Sequence, residues 1–327
     1  MKYRSLGNTG FQVSEISLGT WQVGGKWGSK FDDKLAEEIL HTAIDAGVNF
    51  IDTADVYSEG LSERAVARVV KERSEEIFIA TKAGRRLNPH TASAYTTEAI
   101  TSFVEDSLKN MGLETLDLVQ LHCPPTEVYE REEMFEHLRK LKKEGKIRFF
   151  GVSVEKVSEA LSALKHEDLS SIQIIFNMFR HKPAEDLFPL LKDQRVGILA
   201  RVPLASGLLS GKMSKATTFE QGDHRFFNRN GEAFDKGETF SGVDFNKGLE
   251  AVEKLKNLFG EVPLYQIALK WILSFPEVSC VIPGASKMSQ VSSNMAAADL
   301  ADLSQEELQA VKLIYDQYFR EQIHQMW

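Results

Sequence analysis

Four ionisable side chains fall at or just beyond the ends of three consecutive apolar runs. NFIDTADVY carries Asp52 and Tyr57, IFIATKAG carries Lys82, and LDLVQLHCP carries His122. Each run reads as a buried strand, and each ends in a polar group where a loop should begin. If the three strands are neighbours in a parallel sheet, a carboxylate, a phenol, an ammonium and an imidazole meet in one small volume. Such a set can move a proton. A free tyrosine, with a pKa of about 10, exchanges its proton poorly near neutral pH. A nearby ammonium is expected to favour the phenolate and lower that pKa. Lys82 supplies the ammonium, Asp52 holds Lys82 charged and oriented, and His122 can hydrogen-bond a substrate oxygen. A phenol that protonates a carbonyl oxygen while hydride reaches the carbon is a coherent scheme, and the hydride needs a cofactor.

Competing chemistries fit the residues less well. A metal-dependent hydrolase built on Asp52 and His122 would need further His and carboxylate ligands at strand ends, and it would leave Tyr57 and Lys82 without roles. No metal is expected. Cys123, beside His122, reads as a small buried hydrophobe rather than a nucleophile. The only other cysteine, Cys280, is remote in sequence, so neither a disulfide framework nor a zinc knuckle is indicated.

The elements that must position these groups alternate regularly. KYRSL and FQVSE flank the turn cluster Gly7-Asn8-Thr9-Gly10 as a β-hairpin. Eight strand signals follow: EISLG, NFIDTA, IFIATKAG, LDLVQLH, RFFGVSV, IQIIFNM, VGILARVPL and VSCVIPG. Each is followed by a helical pattern, such as DDKLAEEILHTAIDAG closed by Gly47, or AEDLFPLLKDQ after the sixth strand. The strands run as continuous apolar stretches, as buried parallel strands do. A doubly wound sheet would carry a GxGxxG turn after its first strand, and there is none. The expected fold is therefore α/β: a (β/α)8 TIM barrel with an N-terminal β-hairpin and a C-terminal helical tail, spanning residues 1–327 as one domain. Residues 213–247 are polar, glycine-bearing and rich in Phe, and are expected to form a flexible loop after strand 7 able to fold over a ligand. The tail opens with Ser304 and Glu307, a capping box.

Composition narrows the partners. The 327 residues carry a formal net charge of −8 and are 43% hydrophobic, so a large core is available and a nucleic-acid partner is disfavoured. No apolar run reaches the ~18 residues of a membrane span, and the N-terminus has no secretory h-region, so a cytoplasmic protein is expected. The expected partner is a small-molecule carbonyl compound. Trp21 and Trp27 are candidate pocket walls, and Arg85, Arg86 and Arg201 would favour an anionic or sugar-like substrate. Near the end of the chain, VIPGASKMSQVSSN leads from strand 8 into a helix. There Gly284 allows close approach, and Ser286 and Lys287 can meet a phosphate at the helix N-terminus.

Taken together, LGTW (18–21), DTADVY (52–57), TKAG (81–84), LVQLH (118–122), GVS (151–153), PLASGLLSGK (203–212) and VIPGAS (281–286) resemble the aldo-keto reductase superfamily over almost the whole chain. The details are most similar to the bacterial and potassium-channel β-subunit-like branch. The resemblance implies NADP(H) bound across the C-terminal face of the barrel, with NAD(H) possible, and Tyr57 as general acid aided by Asp52, Lys82 and His122. It implies that Ser153 and Gln173 hold the nicotinamide carboxamide, and that Leu204, Ser206, Leu208, Ser210 and Lys212 line the pyrophosphate. Ser286, Gln290 and Asn294 would contact the adenosine end. Gly19, Thr20, Trp21, Asp52, Gly284 and Lys287 join this cofactor wall, with Lys287 the candidate for a 2′-phosphate. Three positions depart from the pattern. Val154 replaces an asparagine, Arg201 stands where an aromatic ring normally stacks on the nicotinamide, and Ser293 replaces a glutamate. The implied activity is NADPH-dependent reduction of aldehydes or ketones. The alternative is an NADP(H)-binding regulatory or sensor protein.

Overall fold

The computed structural model describes residues 1–25, 30–191 and 195–327. Trp27 and the last three residues of the helix expected at 184–194 lie outside them. The chain opens with an antiparallel hairpin of β1 (Tyr3–Ser5) and β2 (Gln12–Ser14). Eight parallel strands follow: β3 (Leu18–Gly19), β4 (Phe50–Asp52), β5 (Phe78–Ala83), β6 (Leu116–His122), β7 (Ile147–Ser153), β8 (Ser171–Ile175), β9 (Gly197–Arg201) and β10 (Val278–Val281). They pair in sequence order from β3 to β10. Parallel bridges Ile16–Val281 and Gly19–Gly284 join the first strand region to the last and close the barrel.

Between the strands lie α1 (Asp33–Asp45), α2 (Leu61–Glu72), α3 (Thr97–Met111), α4 (Glu132–Lys143) and α5 (Val157–Ala163). Their apolar stripes face the sheet. In α1 the buried residues are Ala36, Ile39, Leu40, Ala43 and Ile44, and Asp32 caps the free amide of Leu35. Over its described residues the helix expected after β8 is present but irregular: a wide stretch at Pro183–Leu187 runs directly into a tight helical turn at Phe188–Leu190. Pro189 has no N–H to donate and its ring crowds the preceding turn, which breaks the ladder. After β9 come α6 (His224–Phe227), α7 (Phe245–Phe259) and α8 (Leu264–Leu273), and after β10 α9 (Met288–Met295) and α10 (Gln305–Tyr315). The capping box at Ser304 and Glu307 is present.

The long segment 213–247 is more ordered than its composition predicts. It carries α6, two further helical turns, and the buried residues Asn228, Thr239, Phe240 and Ser241. Among the described residues, no helix is long and apolar enough to cross a membrane.

Two apolar clusters follow the pleat. Phe50, Phe78, Ala80, Leu118, Leu199 and Cys280 point inward and pack with Leu6, Phe11 and Val13, so the hairpin plugs the floor of the barrel. Phe11 stacks on Phe78 at 4.0 Å between ring centres. Ile51, Ile79, Val119 and Leu121 point outward into the larger core beneath the helices. Successive strand residues alternate faces, and this parity fixes what stands at the top.

Candidate active site

Two residues beyond the inward-facing Phe50, Ala80 and Gln120 come Asp52, Lys82 and His122, on the same inward rows of β4, β5 and β6. In-register pairing places His122 beside Ser153 and Ser153 beside Gln173. Tyr57 reaches the same region from the turn after β4. There Ser58 and Glu59 adopt left-handed backbone (φ 48° and 55°) before Gly60 starts α2. The four groups expected to meet are thus brought together.

Their geometry is that of a coupled network. Lys82 Nζ lies 2.6 Å from Asp52 Oδ2, donates to the Thr53 carbonyl at 2.8 Å, and sits 3.4 Å from Tyr57 Oη. Asp52 Oδ1 accepts from Gln173 Nε2 at 2.7 Å. The Tyr57 and His122 rings are 6.1 Å apart, edge to face. His122 Nδ1 is buried and has no hydrogen-bond partner.

The electrostatics follow from burial and neighbours. Burial works against the Lys82 ammonium, but Asp52 and Tyr57 outweigh it and hold the amine above the ordinary lysine range. Burial, then the cations Lys82, Arg85 and Arg201, push His122 well below the ordinary imidazole value, so it is neutral near pH 7. The sequence-based expectation that Lys82 lowers the Tyr57 pKa is not the net result. Burial raises it, and the opposing pull of Lys82 is smaller. Tyr57 is therefore a neutral phenol, which is the form a proton donor needs.

A cleft of about 560 Å³ opens beside this network. Of the residues expected in a cofactor wall, Gly19, Thr20, Trp21, Asp52, Gln173, Arg201, Leu204, Ser206, Ser210, Lys212, Gly284, Lys287, Gln290 and Asn294 line it, and so does Tyr57. Lys82, His122, Ser153, Leu208 and Ser286 do not. Ser153 is buried with its Oγ 3.5 Å from Cys123 Sγ. Leu208 is fully buried, with Gly248 close against its methyl groups. Ser286 bonds Gln290 Oε1 through its backbone N–H and its hydroxyl.

Some residues that line the cleft were not anticipated, notably Glu238, His224, Arg225 and Tyr265. Glu238 is the most consequential. Its Oε1 lies 2.7 Å from Arg201 Nη1, and Arg201 Nη2 donates to the Val154 carbonyl at 3.0 Å. A buried arginine requires a counter-charge, so Arg201 itself was the signal that an acid had to reach it. The arginines expected to leave free positive charge are all engaged. Arg85 pairs with Glu155 at 3.4 Å, and Arg86 pairs with Asp106 at 3.0 Å and stands 3.9 Å from Asp55. Cys123, Glu155 and Glu238 offer ligand atoms within 4.8 Å of one another, but both carboxylates are held by these arginines. Burial pushes the Cys123 thiol up to about 12, so it stays protonated.

Residues 15–316 of this closed parallel barrel, with Asp, Tyr, Lys and His at its C-terminal mouth, match the model of the Aldo/keto reductase family; the chain belongs to that family of oxidoreductases. It is 32% identical over 298 residues to the aldo-keto reductase YhdN of Bacillus subtilis, covering 89% of this chain and 87% of that protein. It is 31% identical over 315 residues to a probable voltage-gated potassium channel subunit beta of Arabidopsis thaliana, covering 93% of each. The solved structure of the glycerol dehydrogenase AKR11B4 from Gluconobacter oxydans superposes with a TM-score of 0.78 at 30% identity, covering 97% of this chain and 96% of that one.

Proposed function

We propose that the chain, as a single barrel domain, binds NADP(H) in the cleft and reduces aldehyde or ketone carbonyls to alcohols. The observation that carries this reading is the Tyr57–Lys82–Asp52 network beside a cleft of about 560 Å³. The lining of that cleft supports a phosphate-bearing ligand. Lys212 and Lys287 supply positive charge for phosphates, and Ser206 and Ser210 add hydroxyls to the same wall. At Gly284 an added Cβ would meet only the Gly19 carbonyl, 4.0 Å away, so this wall is open to a flat ligand. The Gln173 amide N–H is taken by Asp52, which leaves its carbonyl oxygen to accept from a carboxamide.

Bound NADPH would supply hydride to the carbonyl carbon. Tyr57 Oη donates its proton to the carbonyl oxygen as negative charge develops there. The phenolate left behind is stabilised by Lys82, which Asp52 keeps charged. To neutral His122, which lies outside the cleft lining but edge to face with Tyr57 at 6.1 Å, we assign the hydrogen bond that orients the same oxygen once substrate meets Tyr57. Arg201, neutralised by Glu238, stands in the wall without adding net charge.

Fluorescence titration with NADPH and NADH, followed by NADPH consumption with 4-nitrobenzaldehyde, tests this. Binding with turnover supports it, and failure of both nucleotides to bind sinks it. A regulatory reading draws on the similarity to a channel beta subunit. Tight NADPH binding with no turnover across a carbonyl panel would favour that reading.

A further inference from the structure

Trp327 is 6% exposed and is remote in sequence from every group so far placed at the cleft. Its indole Nε1 donates to Asp235 Oδ1 at 2.8 Å. The Arg180 guanidinium stacks on its ring at 4.0 Å. Its far edge fills the space beside Gly242, whose φ is 80° and where an added Cβ would meet the ring at 2.4 Å. These contacts grip both ends of one short segment, residues 235–242.

That segment forms part of the cleft wall. The Asp235 oxygen that receives the indole N–H also accepts from the Gly237 amide at 2.7 Å, which caps the turn Lys236–Glu238. From that turn Glu238 reaches Arg201. The Glu238 carbonyl accepts from Ser206 Oγ at 3.0 Å, and the Phe240 amide donates to the same Oγ at 3.0 Å. Arg201, Ser206 and Glu238 line the cleft beside Tyr57.

We propose that Trp327 is a positioning residue for the cleft: it clamps residues 235–242 so that Glu238 fixes Arg201 and Ser206 in the wall next to Tyr57. This rests on the reading that the cleft holds nucleotide and carbonyl substrate. Trp327 does not line the cleft and acts through the segment 235–242, which it holds at Asp235 and at Gly242.

The test uses Trp327→Ala, Trp327→Phe, Asp235→Ala, Glu238→Gln and the double variant Trp327→Ala/Glu238→Gln. Hydrogen exchange of the amides in 235–242, without ligand, reads the clamp directly. Trp327→Ala is expected to speed exchange there while the barrel strands keep wild-type protection. It should lower kcat/KM on the order of tenfold to a hundredfold, the loss expected when site groups shift by up to an ångström. The double variant should be no worse than Glu238→Gln, because both changes cut one link. Trp327→Phe keeps the ring but loses the N–H, and should recover part of the loss. Wild-type exchange in 235–242 of Trp327→Ala, or losses that simply add, would overturn the proposal. If Trp327→Ala does not fold, Trp327→Phe and Asp235→Ala complete the same cycle with Glu238→Gln. A wild-type chain that binds NADPH without turnover defeats the reductase reading only, and the cycle is then read in the NADPH Kd. If no nucleotide binds, exchange in 235–242 decides the clamp by itself.

Discussion

Replacing Lys82 with Met nearly preserves side-chain length and removes the charge at the centre of the network. In the native protein Lys82 Nζ is 2.6 Å from Asp52, and the two side chains are 1% and 5% exposed. Removing one partner of a buried pair strands the other, at a cost of about 3–5 kcal/mol. Asp52 keeps the Gln173 amide at 2.7 Å, which favours the lower half of that range. With an unfolding entropy of about 2.1 cal/mol/K per residue over 327 residues, the loss corresponds to about 4–6 °C in Tm. The sign of the pH dependence also follows. Stripped of its ammonium, the Asp52 carboxylate is a buried charge without its counter-ion, so the deficit is smaller in acid than in base. Asp52→Asn/Lys82→Met removes the stranded carboxylate and should regain most of the Tm but none of the activity. Lys82 also pulls the Tyr57 pKa down against burial. Its loss should therefore suppress alcohol oxidation, which needs the phenolate, more than carbonyl reduction. Thermal unfolding at about pH 5 and about pH 8 reads the first effect, and forward and reverse rates read the second. A Lys82→Met protein that melts with wild type at the higher pH would refute the reasoning.

Three further outcomes are expected. Tyr57→Phe should leave the NADPH Kd nearly unchanged and lower kcat by about 10²–10⁴, the usual worth of a positioned acid; normal turnover would remove Tyr57 from the mechanism. Lys287→Ala should weaken NADPH by about tenfold or more, the worth of one hydrogen bond to a charged group, and NADH much less; equal losses in parallel titrations would move the 2′-phosphate elsewhere. Asp55 is buried with neither carboxyl oxygen in a hydrogen bond and only Arg86, 3.9 Å away, as a counter-charge; burial, then the Glu63 carboxylate, raise its pKa to about 7. A carboxyl raised on folding stabilises the fold while protonated and loses that contribution as pH rises, here between its ordinary value and about 7. Stability should therefore fall across that window by up to about 1.4 kcal/mol per pH unit, and Asp55→Asn should flatten the slope. Urea midpoints at several pH values measure both.

Much of this site could be read locally. Asp52, Lys82 and His122 each terminate an apolar run, and the two-residue period of a strand puts each on the inward row. Continuous apolar strands alternating with helical stripes specify a parallel barrel, and neighbouring strands place these three groups side by side. Capping signals such as Ser304 with Glu307 were also local. The helical turns after β8 were legible from apolar spacing, and their irregular winding follows from the hydrogen bond that Pro189 cannot make.

What the tertiary structure alone decided was pairing across long stretches of chain. Gln173 meets Asp52 from 121 residues away, and Trp327 meets Asp235 from 92. No periodicity encodes such contacts, since they depend on which loops meet once the barrel closes. The net pKa of Tyr57 belongs here too. The sequence names the ammonium that lowers it, but the depth of burial, which wins, exists only in the folded chain. Arg201 shows the same division. The sequence put a cation at the mouth of the barrel, and only the packing of residues 235–242 determined that Glu238 neutralises it.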